Sequence, residues 1–163
     1  MADESRLSIL ALHGGEPVRV KTLPYGRQSV SESDIASVAD VLRSDWLTTG
    51  PKIAEFEETL ADRVGARYAV AFSSGTAALH GAVFAAGLKE GDRAITSPLT
   101  FCATANCVLY QGGIPHFIDV EDASLTLDPA RVAECAHRDT KVVLPVDFAG
   151  CPAQLDEIMG LAD

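Results

Sequence analysis

The sequence predicts an α/β fold, in which a mostly parallel sheet is flanked by helices. Beyond residue 67, short apolar runs alternate with segments of helical periodicity, which is the order of βαβ units. Most of these runs are continuously apolar, as is typical of parallel strands that are buried on both faces. Two amphipathic helices precede the alternation. We therefore expect an irregular segment over residues 1–30 and an incomplete α/β domain over residues 31–163.

Two helices are expected to lead the domain, over residues 31–64. Ser31 can cap the first, with Asp34 three residues later. The second can begin at Pro51 and end at Gly65. Both helices carry apolar residues at a spacing of three or four positions, which predicts an apolar face on each. These residues are Ile35, Val38 and Leu42 in the first helix and Ile53, Phe56, Leu60 and Val64 in the second.

The alternating region is expected to contain four strands. They are predicted over residues 68–73, 93–98, 114–120 and 141–148. Helices are predicted over residues 76–87, 103–113 and 128–138, and a further helix over residues 151–163. The chain ends inside this last helix, before any return strand, so we expect the sheet to be truncated.

Composition excludes several classes of protein. With 23 acidic and 13 scattered basic residues, the chain has a formal charge of −10 and offers no basic patch to nucleic acid. No run approaches the ~20 apolar residues of a membrane span, and the N-terminus lacks the features of a signal peptide. The four cysteines form no CxxC pair and the four histidines form no ligand set, so no metal is expected. These features predict a cytoplasmic protein.

The turn after the first predicted strand can bind an anion. Ser74, Gly75, Thr76 and Ala77 connect that strand to a helix, which places them at the carboxyl edge of the sheet. Free amides at the helix start, with the positive end of the helix dipole, favour a phosphate or carboxylate there. The same residues also suit a simple helix cap, and the turn alone does not decide between the two interpretations. The Walker and GxGxxG spacings are absent, which argues against ATP and dinucleotides.

Phe101 follows the next predicted strand, at the same edge of the sheet. An aromatic ring beside an anion site suits a flat cofactor that carries a phosphate. A lone aromatic residue is nevertheless more often part of a core. The neighbouring Cys102 has no evident partner base, so we expect it to be a small buried residue.

The order and spacing of several motifs resemble the DegT/DnrJ/StrS family of pyridoxal-phosphate-dependent sugar aminotransferases. The matching motifs include WLTTG (46–50), VAFSSGTAALH (70–80), SPLTFCATAN (97–106) and PVDFAG (145–150). The subgroup that the chain resembles acts on UDP-linked 4-keto-6-deoxy-N-acetylhexosamines, as in the pseudaminic acid pathway. The resemblance implies the N-terminal part of the large domain of a fold-type I enzyme.

The resemblance also implies a cofactor, a substrate region and an oligomeric state. Gly75, Thr76 and Ala77, next to Ser74, match the segment that holds the phosphate of pyridoxal 5′-phosphate. Phe101 matches the aromatic residue that stacks on the cofactor ring. The region near the nucleotide-linked keto-sugar is matched by Tyr25, Thr48, Thr49 and Gly50. Full-length members of the family are homodimers whose active sites take residues from both subunits.

The chemistry that the resemblance implies is amino transfer from an amino acid, expected to be glutamate, to a keto-sugar for polysaccharide or glycan synthesis. A lysine holds the cofactor as a Schiff base, and an aspartate keeps its pyridine nitrogen protonated. Both residues are expected beyond residue 163, so we expect no catalytic residue in the chain and no activity by itself. The lysines that match neither context are Lys21, Lys52, Lys89 and Lys141.

Asp147 is a departure from the family pattern, because the family usually has histidine at this position of the PVDFAG motif. A solvated or capping aspartate is as consistent with the sequence as a functional one. Its role is therefore left open.

Two alternatives to the aminotransferase interpretation also remain open. One is a sugar dehydratase of the same family, in which a histidine replaces the Schiff-base lysine. The other is a truncated chain without catalysis, with an unpaired strand at the edge of its sheet. The sequence does not distinguish the sugar, the nucleotide or the ring carbon that is aminated.

Overall fold

The computed structural model describes residues 9–24 and 26–161. The chain divides into two units, residues 1–51 and 52–163. The first unit contains a short 3₁₀ turn (Ala11–His13) and helix α1 (Glu32–Arg43). Helix α2 (Pro51–Val64) opens the second unit, and its first residue is the last residue of the first unit.

Helix α1 begins with the capping box that the sequence predicts. The main-chain N–H of Ser31 donates to Oδ2 of Asp34 at 2.7 Å, and the N–H of Asp34 donates to Oγ of Ser31 at 3.3 Å. Two amides that lack helical partners are thereby satisfied by side chains of the same turn. The predicted start of the first helix is confirmed.

Helix α2 begins at Pro51 and ends before Gly65, whose φ of +69° suits glycine at a helix end. The predicted apolar faces of α1 and α2 are present, but all of their large apolar side chains are exposed. Within each unit, the described residues therefore leave an apolar helix face uncovered. The residues concerned are Ile35, Val38, Leu42, Ile53, Phe56, Leu60 and Val64.

The strand predicted over residues 68–73 is not part of a sheet in the described structure. The N–H of Ala71 donates to a carboxylate oxygen of Glu57 at 2.7 Å instead of pairing with a strand. The side chains of Tyr68, Val70 and Phe72 are exposed. Apolar periodicity predicts an extended segment, but it does not supply the neighbour with which that segment must pair. The prediction of a fourth strand is therefore wrong for the described residues.

The other three predicted strands form one parallel sheet. Its order is β2-β1-β3, with β1 in the centre. The strands are β1 (Arg93–Thr96), β2 (Ile114–Phe117) and β3 (Thr140–Leu144). The helices around them are α3 (Gly75–Ala85), α4 (Ala103–Tyr110), α5 (Pro129–Cys135) and α6 (Leu155–Gly160). The predicted α/β class is confirmed.

Strand β1 is buried on both faces, and two hydrophobic clusters meet it from opposite sides. Ala94 belongs to one cluster and Ile95 to the other, because successive side chains of a strand point to opposite faces. The first cluster brings in α3 through Val83 and α4 through Cys107 and Val108, with Leu88 from the connection before β1. The second brings in α5 through Val132 and α6 through Ile158, with Ile118 and Leu127 from the connection after β2.

The connections fix the direction of the helices. Helix α3 packs on the sheet and is followed by a short connection to the first residue of β1, so its C-terminus lies near the amino edge. Its N-terminus therefore points toward the carboxyl edge. Helix α4 follows the end of β1 and likewise begins at the carboxyl edge. Both helices thus start where open parallel sheets bind ligands.

Three helices are shorter than the sequence predicts. Helix α4 ends at Tyr110 because Gly112, with a φ of +73°, turns the chain toward β2. Helix α5 begins as predicted, with Asp128 accepting from the N–H of Ala130 at 2.9 Å, but it ends at Cys135. The last helix begins at Leu155, after a 3₁₀ turn over Phe148–Gly150. None of the helices in the described ranges is long and apolar enough to cross a membrane.

The packing at the corner between α4 and β2 can be tested by a substitution at Gly113. A methyl group at this position would lie 2.7 Å from Cδ2 of Leu88 and 3.0 Å from Cγ1 of Val108. We expect Gly113→Ala to lower the free energy of unfolding by about 1–3 kcal/mol, measured by urea denaturation. Gly160→Ala is the matched control, because its added methyl would meet no atom within 4 Å and its stability should change by less than about 1 kcal/mol. Equal stability of the two variants would contradict this packing.

The capping box predicts the titration of Asp34. Hydrogen bonds from the main-chain N–H and the hydroxyl of Ser31 hold the pKa of the Asp34 carboxyl below 3.8. A lowered folded-state pKa means that the box stabilises α1 above the unfolded pKa and is lost as the pH falls through the folded one. A ¹³C NMR titration of the carboxyl carbon measures this pKa. Ser31→Ala should raise it part of the way back, and a midpoint at or above 3.8 in the unsubstituted protein would exclude the box in solution.

Candidate functional site

The turn before α3 caps the helix and leaves two amides free. Ser74 has extended backbone angles (φ −162°, ψ 160°), and its Oγ accepts from the N–H of Ala77 at 3.2 Å. Its carbonyl accepts from the N–H of Ala78 at 3.0 Å. The N–H groups of Gly75 and Thr76 have no acceptor among the described residues. The turn is therefore a helix cap and, at the same time, a pair of unsatisfied donors at the positive end of a helix dipole.

Nothing in the described protein requires glycine at position 75. Its φ lies outside the left-handed region, and an added Cβ would meet no atom within 4 Å. Gly50 is different, because an added Cβ there would come within 2.9 Å of Cβ of Trp46. Because Gly75 has no side chain, a ligand can approach the free main-chain amides closely.

Phe101 lies in the connection between β1 and α4, at the carboxyl edge of the sheet. Its side chain is 72% exposed, so the interpretation of Phe101 as part of the core is wrong. Its carbonyl oxygen accepts from the N–H of Thr104 at 3.0 Å. The residue therefore presents an aromatic ring from a backbone that is tied to the first turn of α4.

The residues predicted near a sugar substrate lie in the first unit. Tyr25 is outside the described residues. Thr49 has a φ of +52°, which is unusual for a β-branched residue, and its hydroxyl donates to the carbonyl of Thr48 at 2.7 Å. Gly50 follows and precedes α2. Such backbone outliers cluster at binding sites, and this one coincides with the predicted substrate segment.

Asp147 caps the connection that follows β3. Its Oδ1 accepts from the N–H of Ala153 at 2.9 Å. Between the two residues the chain turns through Ala149 and Gly150, which have φ values of +51° and +82°. The carboxylate thus holds a tight connection at the carboxyl edge, which is the capping role that the sequence left open.

Two of the three lysines of the second unit lie near the C-terminal end of α3, away from its N-terminus. Lys52 forms an ion pair with Glu55 on α2, with Nζ 2.5 Å from Oε2. Lys89 follows the C-terminal end of α3. The side chain of Lys141 passes 3.8 Å from the position that a Cβ would take at Gly87, also near that end. The structure therefore places Lys89 and Lys141 away from Gly75, and the ammonium group of Lys52 is paired with Glu55.

Cys102, Cys107 and His80 differ in how far they are buried. Cys102 is exposed, so the expectation of a buried residue is wrong, because the chain turns into α4 on the outside of the sheet edge. Cys107 is fully buried instead, and this burial raises the pKa of its thiol. His80 is packed against the end of α4: Gln111 donates to its Nε2 at 2.7 Å, and the ring of Tyr110 lies 5.3 Å away.

Several buried hydroxyl groups near Phe101 were not singled out by sequence analysis. Thr96, Ser97 and Thr104 are buried, and their hydroxyls have partners in the protein. The only signal in the sequence was the density of hydroxyl residues in SPLTFCATAN (97–106). No group of three or more metal-ligating side chains occurs in residues 9–24 and 26–161.

Fold and site together define an α/β protein with free amides and an exposed aromatic ring at the carboxyl edge of a parallel sheet. Residues 28–163 match the DegT/DnrJ/EryC1/StrS aminotransferase family. The chain therefore belongs to this family, and the predicted resemblance is confirmed.

A curated relative and two solved structures illustrate the similarity. UDP-4-amino-4-deoxy-L-arabinose–oxoglutarate aminotransferase of Shewanella sediminis is 41% identical over 141 residues, which cover 86% of the chain and 36% of that protein. The PLP form of Spr1654 from Streptococcus pneumoniae matches with a TM-score of 0.80 and 28% identity, over 86% of the chain and 36% of that structure. PseC of Helicobacter pylori, an aminotransferase involved in the biosynthesis of pseudoaminic acid, matches with the same TM-score and identity. The match covers 87% of the chain and 38% of that structure.

The chain spans 36% to 38% of the length of the curated relatives that it matches. The family and the PLP form of a solved structure indicate pyridoxal 5′-phosphate as the cofactor, as predicted.

The cap at Ser74 can be tested by its effect on stability. We expect Ser74→Ala to lower the free energy of unfolding by about 0.5–2 kcal/mol, because the N–H of Ala77 loses its acceptor. Ser74→Asp keeps an acceptor at the same position and should stay within about 0.5 kcal/mol of the unsubstituted protein. Urea denaturation followed by circular dichroism measures both. Equal loss in the two variants would exclude capping as the cause.

Proposed function

We propose that the chain is part of a sugar aminotransferase and supplies the phosphate-binding and ring-stacking portion of its pyridoxal 5′-phosphate site. The observation that carries this proposal is the start of α3. There, the amides of Gly75 and Thr76 have no acceptor among the described residues, and neither backbone conformation nor packing requires glycine at position 75. The dianionic phosphate of the cofactor suits such a helix N-terminus, because the donors and the dipole act on it together.

The residues present fit this cofactor. Gly75 and Thr76 would donate main-chain hydrogen bonds to the phosphate, and Thr76 could add its hydroxyl. Ser74 would shape the turn while its own oxygen stays engaged with Ala77. Phe101, which also lies at the carboxyl edge, would cover one face of the pyridine ring. When bound, the cofactor supplies an electron sink for amino transfer.

The substrates that we propose are a nucleotide-linked keto-sugar and glutamate. A relative with 41% identity is named as an aminotransferase that uses a UDP-linked sugar and oxoglutarate, the keto acid that corresponds to glutamate. The segment of Thr48, Thr49 and Gly50, in which both threonines are exposed and Thr49 is left-handed, would contact the sugar nucleotide. Tyr25 would belong to the same region. The product would serve polysaccharide or glycan synthesis in the cytoplasm, a compartment that suits four unpaired cysteines.

We further propose that the complete enzyme is a homodimer and that the 163-residue chain does not catalyse transfer by itself. The uncovered apolar faces of α1 and α2 support burial against other parts of the assembly. The lysines of the second unit support the second point, because Lys89 and Lys141 lie near the opposite end of α3 and Lys52 is paired with Glu55. The purified chain should therefore bind the cofactor without a lysine adduct that borohydride can fix.

Gly75→Ala tests the phosphate site directly. The added methyl stands in front of the free amides, so we expect the dissociation constant for pyridoxal 5′-phosphate to rise about tenfold or more. The free energy of unfolding should change by less than about 1 kcal/mol, since the methyl meets no protein atom. Absorbance titration of the purified protein with the cofactor measures the binding.

Two controls make the result specific. Gly160→Ala adds the same methyl in an open position on α6 and should leave binding unchanged. Inorganic phosphate should compete with the cofactor for the unsubstituted protein and much less for Gly75→Ala. Binding of the cofactor by Gly75→Ala at full strength would show that the phosphate is held elsewhere.

A further inference from the structure

We propose that Thr104 is a positioning residue, which holds the backbone and ring of Phe101 in place through its contacts with Phe101 and Thr100. The proposal rests on the proposed function in one respect, namely that the ring of Phe101 contacts the cofactor. Thr104 itself would touch neither cofactor nor substrate, because it is buried beneath the loop with 7% of its surface exposed.

The loop that carries Phe101 is fixed at its beginning by buried hydroxyl groups. Thr96, the last residue of β1, is fully buried, and its hydroxyl donates to the carbonyl of Leu144 on β3 at 2.8 Å. Ser97 is also buried, and its hydroxyl donates to the carbonyl of Leu99 at 3.3 Å. The first bond ties the ends of two neighbouring strands together, and the second shapes the turn that leaves the sheet.

Two contacts of Thr104 fix the other end of the loop. Its N–H donates to the carbonyl of Phe101 at 3.0 Å, and its hydroxyl lies 2.8 Å from the hydroxyl of Thr100. These contacts hold the residue before Phe101 and the carbonyl of Phe101 itself. Rotation of the backbone on either side of the ring would break one of them.

Because the side chain of Phe101 is exposed, its position must be restrained by something other than burial in the core. A 72%-exposed aromatic ring gains little from its own burial, so the protein core does not hold it in one orientation. The N-cap position of α4 does not hold it either, because Cys102 makes no capping hydrogen bond with its side chain. Among the described residues, the contact between the hydroxyls of Thr100 and Thr104 is the side-chain contact that can restrain the backbone on this side of Phe101. A ring that is ordered before the ligand arrives loses less freedom on binding.

The test compares Thr104→Val with Thr104→Ser in the purified protein, using pyridoxal 5′-phosphate as the probe. Valine keeps the volume and removes the hydroxyl bond, so we expect the dissociation constant to rise about 3- to 10-fold. Serine keeps the hydroxyl and should bind within about twofold of the unsubstituted protein. Both variants are repeated in a Phe101→Leu background. There Thr104→Val should change the affinity by less than about twofold, because the ring through which Thr104 acts is gone.

A second measurement needs no cofactor. In protein with labelled phenylalanine, the NMR signals of the Phe101 ring are assigned from their loss in Phe101→Leu. Thr104→Val should broaden these signals or move them toward the values of a freely rotating ring, and Thr104→Ser should leave them in place. A merely structural role would instead lower stability with the ring signals unchanged.

The outcomes separate this inference from the proposed function. Unchanged ring signals in Thr104→Val would overturn the positioning role, whatever the cofactor does. An equal loss of affinity from Thr104→Val with and without Phe101 would overturn it as well. Failure of the unsubstituted protein to bind pyridoxal 5′-phosphate would count against the proposed function, while the ring signals would still decide the role of Thr104.

Discussion

The rest of the structure depends on the burial of strand β1 from both sides. Ala94 and Ile95 are neighbours in sequence, yet each anchors a different hydrophobic cluster, and neither retains any exposed surface. Burial on both faces is typical of a central strand in a parallel sheet, because the helical crossovers between parallel strands cover the sheet on both sides. The short connection from α3 into β1 and the exit from β1 into α4 then place the starts of both helices at the carboxyl edge.

This arrangement explains how two different kinds of group come to lie at the same edge of the sheet. The start of α3 contributes free main-chain donors, and the connection before α4 contributes an exposed ring. Near Phe101, Thr96 and Thr104 are buried, but their hydroxyl groups have hydrogen-bond partners in the protein. Burial of these groups therefore costs little free energy, and their hydrogen bonds restrain the backbone. In the proposed function, this part of the aminotransferase family fold supplies a binding surface for the cofactor. The apolar faces of α1 and α2 are proposed to contact further protein.

Local features were predicted well because their causes are local. Ser31 with Asp34 and Asp128 with Ala130 each fix a helix start through groups two or three residues apart, and Pro51 and Gly65 mark the two ends of α2 by their own backbone preferences. Features that depend on a distant partner were predicted less well. Residues 68–73 have the composition of a strand, but Ala71 bonds Glu57 and no strand of the described sheet pairs with the segment. Cys102 and Phe101 looked like candidates for burial by residue type alone, whereas their exposure follows from the course of the chain between β1 and α4.

The sequence by itself determined the α/β class, the order of the helices and three strands, and the motifs that identify the family. All of these follow from hydrophobic periodicity, helix-capping residues and the spacing of motif residues, and each of these signals depends on residues a few positions apart. Only the tertiary structure decided that Gly75 faces open space, that Asp147 accepts a hydrogen bond from Ala153, and that the hydroxyls of Thr100 and Thr104 meet beside Phe101. These properties depend on which atoms from other parts of the chain lie nearby. No pattern within a single segment contains that information.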